Sequence, residues 1–242
     1  MNRLRAWLWV VLATVTMIPF ALLSLMIGPL PFFKRYYIIT RWTRLVLWLL
    51  RVICGIRVKV EGAEHLPQQA SVILSKHQSA WETFAFQALF PPQVWVLKRE
   101  LLRVPFFGWG LKALEPVAID RSKGRQAGSQ LLEQGAERLG RGIWVVIFPE
   151  GTRAAVGEHK RFKTGGARLA AHTGAPVVPV AHNAGLVWPR RSAPARPGVV
   201  TVSIGPVIDS RGREAEDINA EAEAWVEKRT RELEAKANGE PA

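Results

Sequence analysis

The chain opens with its longest apolar run. From Ala6 to Phe33, AWLWVVLATVTMIPFALLSLMIGPLPFF, no residue is charged, and about 20 apolar residues suffice to cross a bilayer as a helix. Arg3 and Arg5 precede the run, and Lys34 and Arg35 close it. A cleaved signal peptide has a shorter apolar region of about 7–15 residues and ends on a small-x-small site; no clear site of that kind follows, so an anchor is expected. Pro19 sits mid-run, where a kink or a re-entrant bend is tolerated. The pattern leaves open whether the segment spans the bilayer or dips into it. Between Tyr36 and Ile53 the pattern changes. Lys34, Arg41, Arg44 and Arg51 fall in one stripe at about 100° per residue, with Leu45, Leu49 and Val52 elsewhere on the wheel. A basic amphipathic helix with Trp42 and Trp48 suits a headgroup layer; a core helix with one solvated face would read the same way.

Past Gly55 strand-like and helix-like runs alternate. IRVKVEG has period two, and SVILSK, VWVLK, PVAID, IWVVIFPEG, PVVPVAH and VVTVSIG are short β-rich runs. Helical patterns cover Glu82 to Phe90, Lys123 to Leu139 and Gly165 to His172; Arg213 to Lys236, charged and Ala-rich, reads as a surface helix. WPRRSAPARPG reads as a loop. This alternation predicts a layered α/β domain with a largely parallel sheet over 56–242, preceded by two membrane-anchoring helices over 1–55.

Composition narrows the partners. Of 242 residues 48% are hydrophobic, and the net charge is +13, so a folded chain with an acidic partner is expected. The first 60 residues hold no acid. Much of the charge therefore points to anionic lipid; no nucleic-acid motif is found, and no nucleic-acid partner is expected. The single cysteine, Cys54, cannot form an internal disulfide and reads as a buried, inert thiol. This suits a domain facing the cytoplasm.

Three stretches carry candidate chemistry. In SKHQSAWETF a strand ends near Lys76 and puts His77 at the C-terminal edge of a sheet, where open α/β sheets bind ligands. Ser79-Ala80-Trp81-Glu82 fits a capping box, so Glu82 either caps the following helix or orients His77 as a general base. No serine or cysteine nucleophile is obvious beside them, so the substrate would bring its own hydroxyl. In FPEGTR, Phe148 to Arg153, a strand exits into a turn with Gly151 and presents Arg153. That arrangement suits a phosphate, although an ordinary turn with a solvated arginine has the same letters. The basic loop His159, Lys160, Arg161 and Lys163 adds positive field. VLKRELLRVPFFGWGLKAL contributes Lys98, Arg99, Arg103 and a Pro-Phe-Phe-Gly-Trp turn, whose aromatics are either core or a surface for an acyl chain. No convincing metal-ligand cluster is present, and His172 and His182 read as structural.

In this order the His77-x4-Glu82 block, the Lys98 to Trp109 block, FPEGTR and VVPVAHN resemble the four blocks of the glycerolipid acyltransferases, specifically the bacterial 1-acylglycerol-3-phosphate acyltransferases. The resemblance covers about Ile56 to Gly205. It departs at Glu82, where the family usually has aspartate; glutamate has the same charge and a longer reach. The resemblance implies acyl transfer from acyl-CoA or acyl-carrier protein, as co-substrate, to the sn-2 hydroxyl of lysophosphatidic acid. It implies no cofactor and no metal. By the same resemblance His77 would be the base, Glu82 its orienting carboxylate and Lys98 or nearby amides the oxyanion side. Glu150, Gly151, Thr152 and Arg153 would form the phosphate loop, with Arg153 and the Gly151 amide on the phosphate. The protein is expected at the inner membrane, in contact with membrane lipid, its catalytic domain on the cytoplasmic side. Acylation of another lysophospholipid or of a lyso-aminolipid, and a non-catalytic adaptor that binds anionic lipid, remain as alternatives.

Overall fold

The structure, a computed structural model, describes residues 3–120 and 124–239. Helix α1 (Arg3–Met26) runs unbroken through Pro19, so the expected kink does not interrupt it. The chain instead reverses over Gly28 to Pro31, where two prolines rule out helix. Helix α2 (Phe32–Cys54) buries Phe32, Tyr36, Ile39, Thr43, Val46, Leu50 and Cys54, one seam at three- and four-residue spacing. Its outer side carries Lys34, Arg41, Arg44 and Arg51, but also Tyr37, Trp48 and Val52. The expected separation of cations from apolar residues therefore fails at Val52, which lies beside Arg51 on the exposed side.

The two helices join the same core as the sheet. The Trp9 indole N–H donates to the Val46 carbonyl at 3.0 Å, and Trp42 donates to Thr16 at 3.2 Å. Trp9 packs edge-on against Trp188 at 5.0 Å. Trp188 opens the segment expected to be a loop and is itself buried, its indole N–H on the Ser192 carbonyl.

Seven strands make one sheet in the order β1-β7-β6-β2-β5-β3-β4. They are β1 (Ile56–Glu61), β2 (Val72–Ser75), β3 (Gln93–Lys98), β4 (Val117–Ile119), β5 (Trp144–Ile147), β6 (Val177–His182) and β7 (Gly198–Ile204). All pairs are parallel except β6 with β7. β2, β5 and β6 are buried throughout, as strands covered on both faces must be.

The crossover helices are α3 (Trp81–Leu89), α4 (Phe107–Ala113), α5 (Arg125–Gly140) and α6 (Gly165–Thr173). Lys123, the expected start of the third helical run, lies outside the described residues. The expected Pro-Phe-Phe-Gly-Trp turn is a turn only as far as Phe106 and then becomes α4. A Cβ at Gly108 would lie 2.5 Å from the Leu102 carbonyl oxygen, so glycine permits this close approach. A short helix, α7 (Ala184–Val187), and a long one, α8 (Ala215–Asn238), complete the fold. α8 is not the surface helix its composition suggests: Ile218, Ala222, Val226 and Leu233 are buried in it together with Glu227 and Glu234.

Candidate active site

The loops after β2 and β5 and the end of β3 converge at the C-terminal edge of the parallel strands. His77 follows β2, Phe148 to Arg153 follow β5, and Lys98 ends β3. All three contribute to one largely apolar cavity of about 680 Å³, a size typical of small-molecule sites. Met17 and Phe20 of α1 and Trp42 of α2 line it, together with Phe84, Phe106 and Leu111. Phe106 and Phe107 of the α4 block thus face the cavity, and Trp109 is not part of its lining. Among the described residues lining it there is no serine or cysteine.

His77 is held on every side. Its Nδ1 lies 2.8 Å from Glu82 Oε1, its ring stacks on Phe148 with centroids 4.2 Å apart, and its backbone N–H donates to Glu150 Oε2 at 3.2 Å. With Nδ1 donating to the carboxylate, the ring presents Nε2 as its basic nitrogen.

Glu82 makes both of the contacts that its spacing suggested. The same Oε1 accepts the backbone N–H of Ser79 at 2.8 Å and that of Gln78 at 2.9 Å. The reach back to Ser79 is half of a capping box. The other half differs, because the Ser79 hydroxyl accepts from the N–H of Trp81 at 3.1 Å. Glu82 is fully buried. Burial pushes its carboxyl up, but the nearby His182 and His77 and the Ser79 N–H outweigh this and hold it below the usual carboxylate range.

The FPEGTR loop divides its work differently from what the sequence suggested. Gly151 lines the cavity at φ +73°, but its N–H closes the turn onto the Phe148 carbonyl at 3.0 Å; that amide is already engaged by the turn. Thr152 is exposed and lies outside the cavity lining. Glu150 turns inward: its Oε1 is 3.0 Å from Lys76 Nζ, and both side chains are buried. Burial pushes the Glu150 carboxyl up to about 7, Lys76 opposes the shift, and the nearby Glu227 adds to it. One buried lysine cannot neutralise two buried carboxylates, so the cluster favours one bound proton. Arg153 does line the cavity, as do Lys98 and Lys163. Lys163 Nζ would sit 3.0 Å from a Cβ at Gly151, so a second cation reaches the loop that the sequence assigned to Arg153. The rest of the expected basic field divides: His159 pairs with Glu223 at 2.8 Å, and Arg161 is exposed. His182 is buried, with Nε2 on the Lys76 carbonyl at 2.9 Å.

A carboxylate-held histidine facing an apolar cavity that Lys98, Arg153 and Lys163 also line, with no serine or cysteine among its described lining, suits a transferase that activates a hydroxyl brought by its substrate. Comparison with known proteins places the chain within that class. Residues 57–183 match the family model described as Acyltransferase, and the chain belongs to this family. It is 47% identical over 237 residues to the 1-acyl-sn-glycerol-3-phosphate acyltransferase of Pseudomonas aeruginosa, covering 96% of this chain and 92% of that one. It is 30% identical over 185 residues to 1-acyl-sn-glycerol-3-phosphate acyltransferase alpha of Mus musculus, covering 75% and 65% of the two chains. The fold is that of the crystal structure of the 1-acyl-sn-glycerophosphate (LPA) acyltransferase PlsC from Thermotoga maritima, with a TM-score of 0.80 at 23% identity over 97% and 96% of the two chains.

Proposed function

We propose that the protein acylates the sn-2 hydroxyl of 1-acylglycerol 3-phosphate from acyl-CoA or acyl-carrier protein, giving phosphatidic acid. The observation that carries this reading is the 2.8 Å pair of His77 Nδ1 and Glu82 Oε1 facing a cavity whose described lining includes no serine or cysteine. His77 Nε2 takes the proton of the acceptor hydroxyl as that oxygen adds to the thioester carbonyl. Glu82 stabilises the resulting imidazolium. The tetrahedral oxyanion forms within reach of a donor such as Lys98; its collapse breaks the C–S bond, and the departing thiolate recovers the proton from His77. Arg153 and Lys163 hold the acceptor phosphate as cations.

The N-terminal helices serve as the anchor in this reading. α1 is long and apolar enough to cross a membrane, but its buried side, from Ala6 to Ser24, is used against α2 and α4 along most of its length. Most of its surface, including Trp7, Val11, Val15, Leu22 and Leu25, is exposed and left for lipid. A helix laid along a charged domain dips into one leaflet, with the cations of α2 on its headgroups. The protein would thus sit on the cytoplasmic side of the inner membrane and draw its lysolipid sideways. It should remain with membranes after high-salt and carbonate washes; release by salt alone would show that only surface charge binds.

The test of function is thiol release from acyl-CoA by the purified protein against a panel of lyso-acceptors. Release dependent on lysophosphatidic acid is expected. Preference for another lysophospholipid or a lyso-aminolipid would reassign the acceptor, and no acceptor-dependent release would leave only lipid binding.

A further inference from the structure

The loop that carries His77 is gripped from behind as well as from the cavity. Lys76, on one side of His77, reaches Glu227 Oε1 of α8 at 2.5 Å, the Glu150 carboxylate at 3.0 Å and the Glu158 carbonyl at 3.0 Å. Gln78, on the other side, donates its amide to Glu234 Oε1 of α8 at 2.6 Å, while Glu234 Oε2 accepts the Gly157 N–H at 3.2 Å. Glu227 and Glu234 are seven residues apart, about two turns of one helix face, and both are buried, at 8% and 7% exposed.

We propose that Glu227 and Glu234 are positioning residues for His77, which they fix through Lys76 and Gln78 without touching substrate. Two observations separate this from a role in holding α8 on the domain. First, Ile218, Ala222, Val226 and Leu233 already bury the same side of α8. Buried ion pairs can often be replaced by apolar residues without loss of stability, so attachment of the helix needs no carboxylates. Second, a polar cavity of about 130 Å³ lies between the helix and the loop, lined by Lys76, Gln78, Glu227, Thr230 and Glu234. Lys76 and Gln78 are buried, but they border this cavity rather than a packed wall, so the directed bonds to Glu227 and Glu234 fix where their polar ends sit. Lys76 also bonds Glu150, which receives the His77 N–H. The tether therefore reaches the catalytic residue through its own backbone.

The inference rests on His77 being the base, and the experiment separates the two claims. In the full-length protein, kcat and KM for both substrates are measured by thiol release for Glu227→Gln, Glu234→Gln and His77→Ala, with thermal melts. Misplacing a catalytic group by 1 Å costs up to about 10²-fold, so each glutamine variant should lose about tenfold or more in kcat with both KM values within about twofold of wild type. Because the glutamine variants can fail through instability, Glu227→Met is made as well; it removes the tether with an apolar side chain of similar length and leaves Lys76 its Glu150 and Glu158 partners. A low kcat in this variant, at a melting temperature near that of wild type, supports the proposal. A wild-type kcat in it, or kcat and KM in the glutamine variants falling together with the melting temperature, overturns it. If His77→Ala is inactive while the glutamine variants keep wild-type kcat, the positioning role alone falls; an active His77→Ala removes the base assignment itself.

Discussion

Glu82→Gln is the substitution that separates the two functions carried by one oxygen. Glutamine can still complete a capping box, and its carbonyl oxygen can accept from the Ser79 and Gln78 N–H groups as Glu82 Oε1 does. What it lacks is the charge facing His77 Nδ1 at 2.8 Å. A hydrogen bond to a charged group contributes about 1.5–3 kcal/mol, so losing the charge-assisted part in the transition state lowers kcat by about 10- to 150-fold. A separate cost falls on stability. Glu82 Oε2 is buried with no hydrogen-bond partner, and an amide NH₂ placed there is left unsatisfied, at about 1–3 kcal/mol. Glu82→Gln should therefore melt earlier and, well below its melting temperature, still turn over slowly. Glu82→Asp keeps the charge and should retain more activity than Glu82→Gln. The assay is kcat from thiol release with saturating lysophosphatidic acid, alongside thermal melts. A folded Glu82→Gln enzyme with the kcat of wild type would refute the reasoning and leave Glu82 as a cap.

Arg153→Ala should raise KM for lysophosphatidic acid more than for the acyl donor, by about 10-fold or more for a charge-assisted phosphate pair; equal changes for both substrates would instead indicate a folding defect. Glu150 gives a pH signature in stability. Its folded value near 7 lies above the ordinary 4.5, so the folded state keeps a proton that the unfolded chain gives up. That contribution is fully present below the ordinary value and is lost as pH rises through the folded one. Glu150→Gln stays neutral throughout, so its melting temperature relative to wild type should rise between about pH 5 and pH 8; a pH-independent difference would contradict the shift.

The strands were legible because each is a short run of β-branched and aromatic residues bounded by loops, and the amphipathic spacing of α2 and α6 was equally clear. Burial on both faces of β2, β5 and β6 was visible as unbroken apolar runs. α4 was hidden because Gly108 and Gly110 oppose helix by propensity. Gly108 lets the start of the helix approach the Leu102 carbonyl six residues back, so a residue that weakens the helical pattern is the one that this close turn requires. That the Gly151 N–H bonds the Phe148 carbonyl was hidden for a related reason. A glycine turn after a strand suggests free amides, but which amide closes the turn depends on the geometry.

Side-chain contacts in the candidate site were legible from spacing only where the residues are neighbours in sequence. His77 and Glu82 face each other across one turn of chain, so spacing alone suggested their contact. Lys163 and the α8 glutamates did not stand out, because a lysine in a basic loop and glutamates in an Ala-rich helix look like solvated charge. Glu227 and Glu234 share a helix face with Ala222, Val226 and Leu233. On that wheel they look like interruptions of an apolar stripe, and a polar interruption ordinarily marks the stripe's edge. They lie inside it because Lys76 and Gln78 arrive from a strand about 150 residues away to meet them. A buried charge becomes readable only with its partner. A charge inside an apolar stripe is therefore itself a prediction of a distant partner of opposite sign. Here that rule, applied to Glu227, leads to Lys76, the residue immediately before His77.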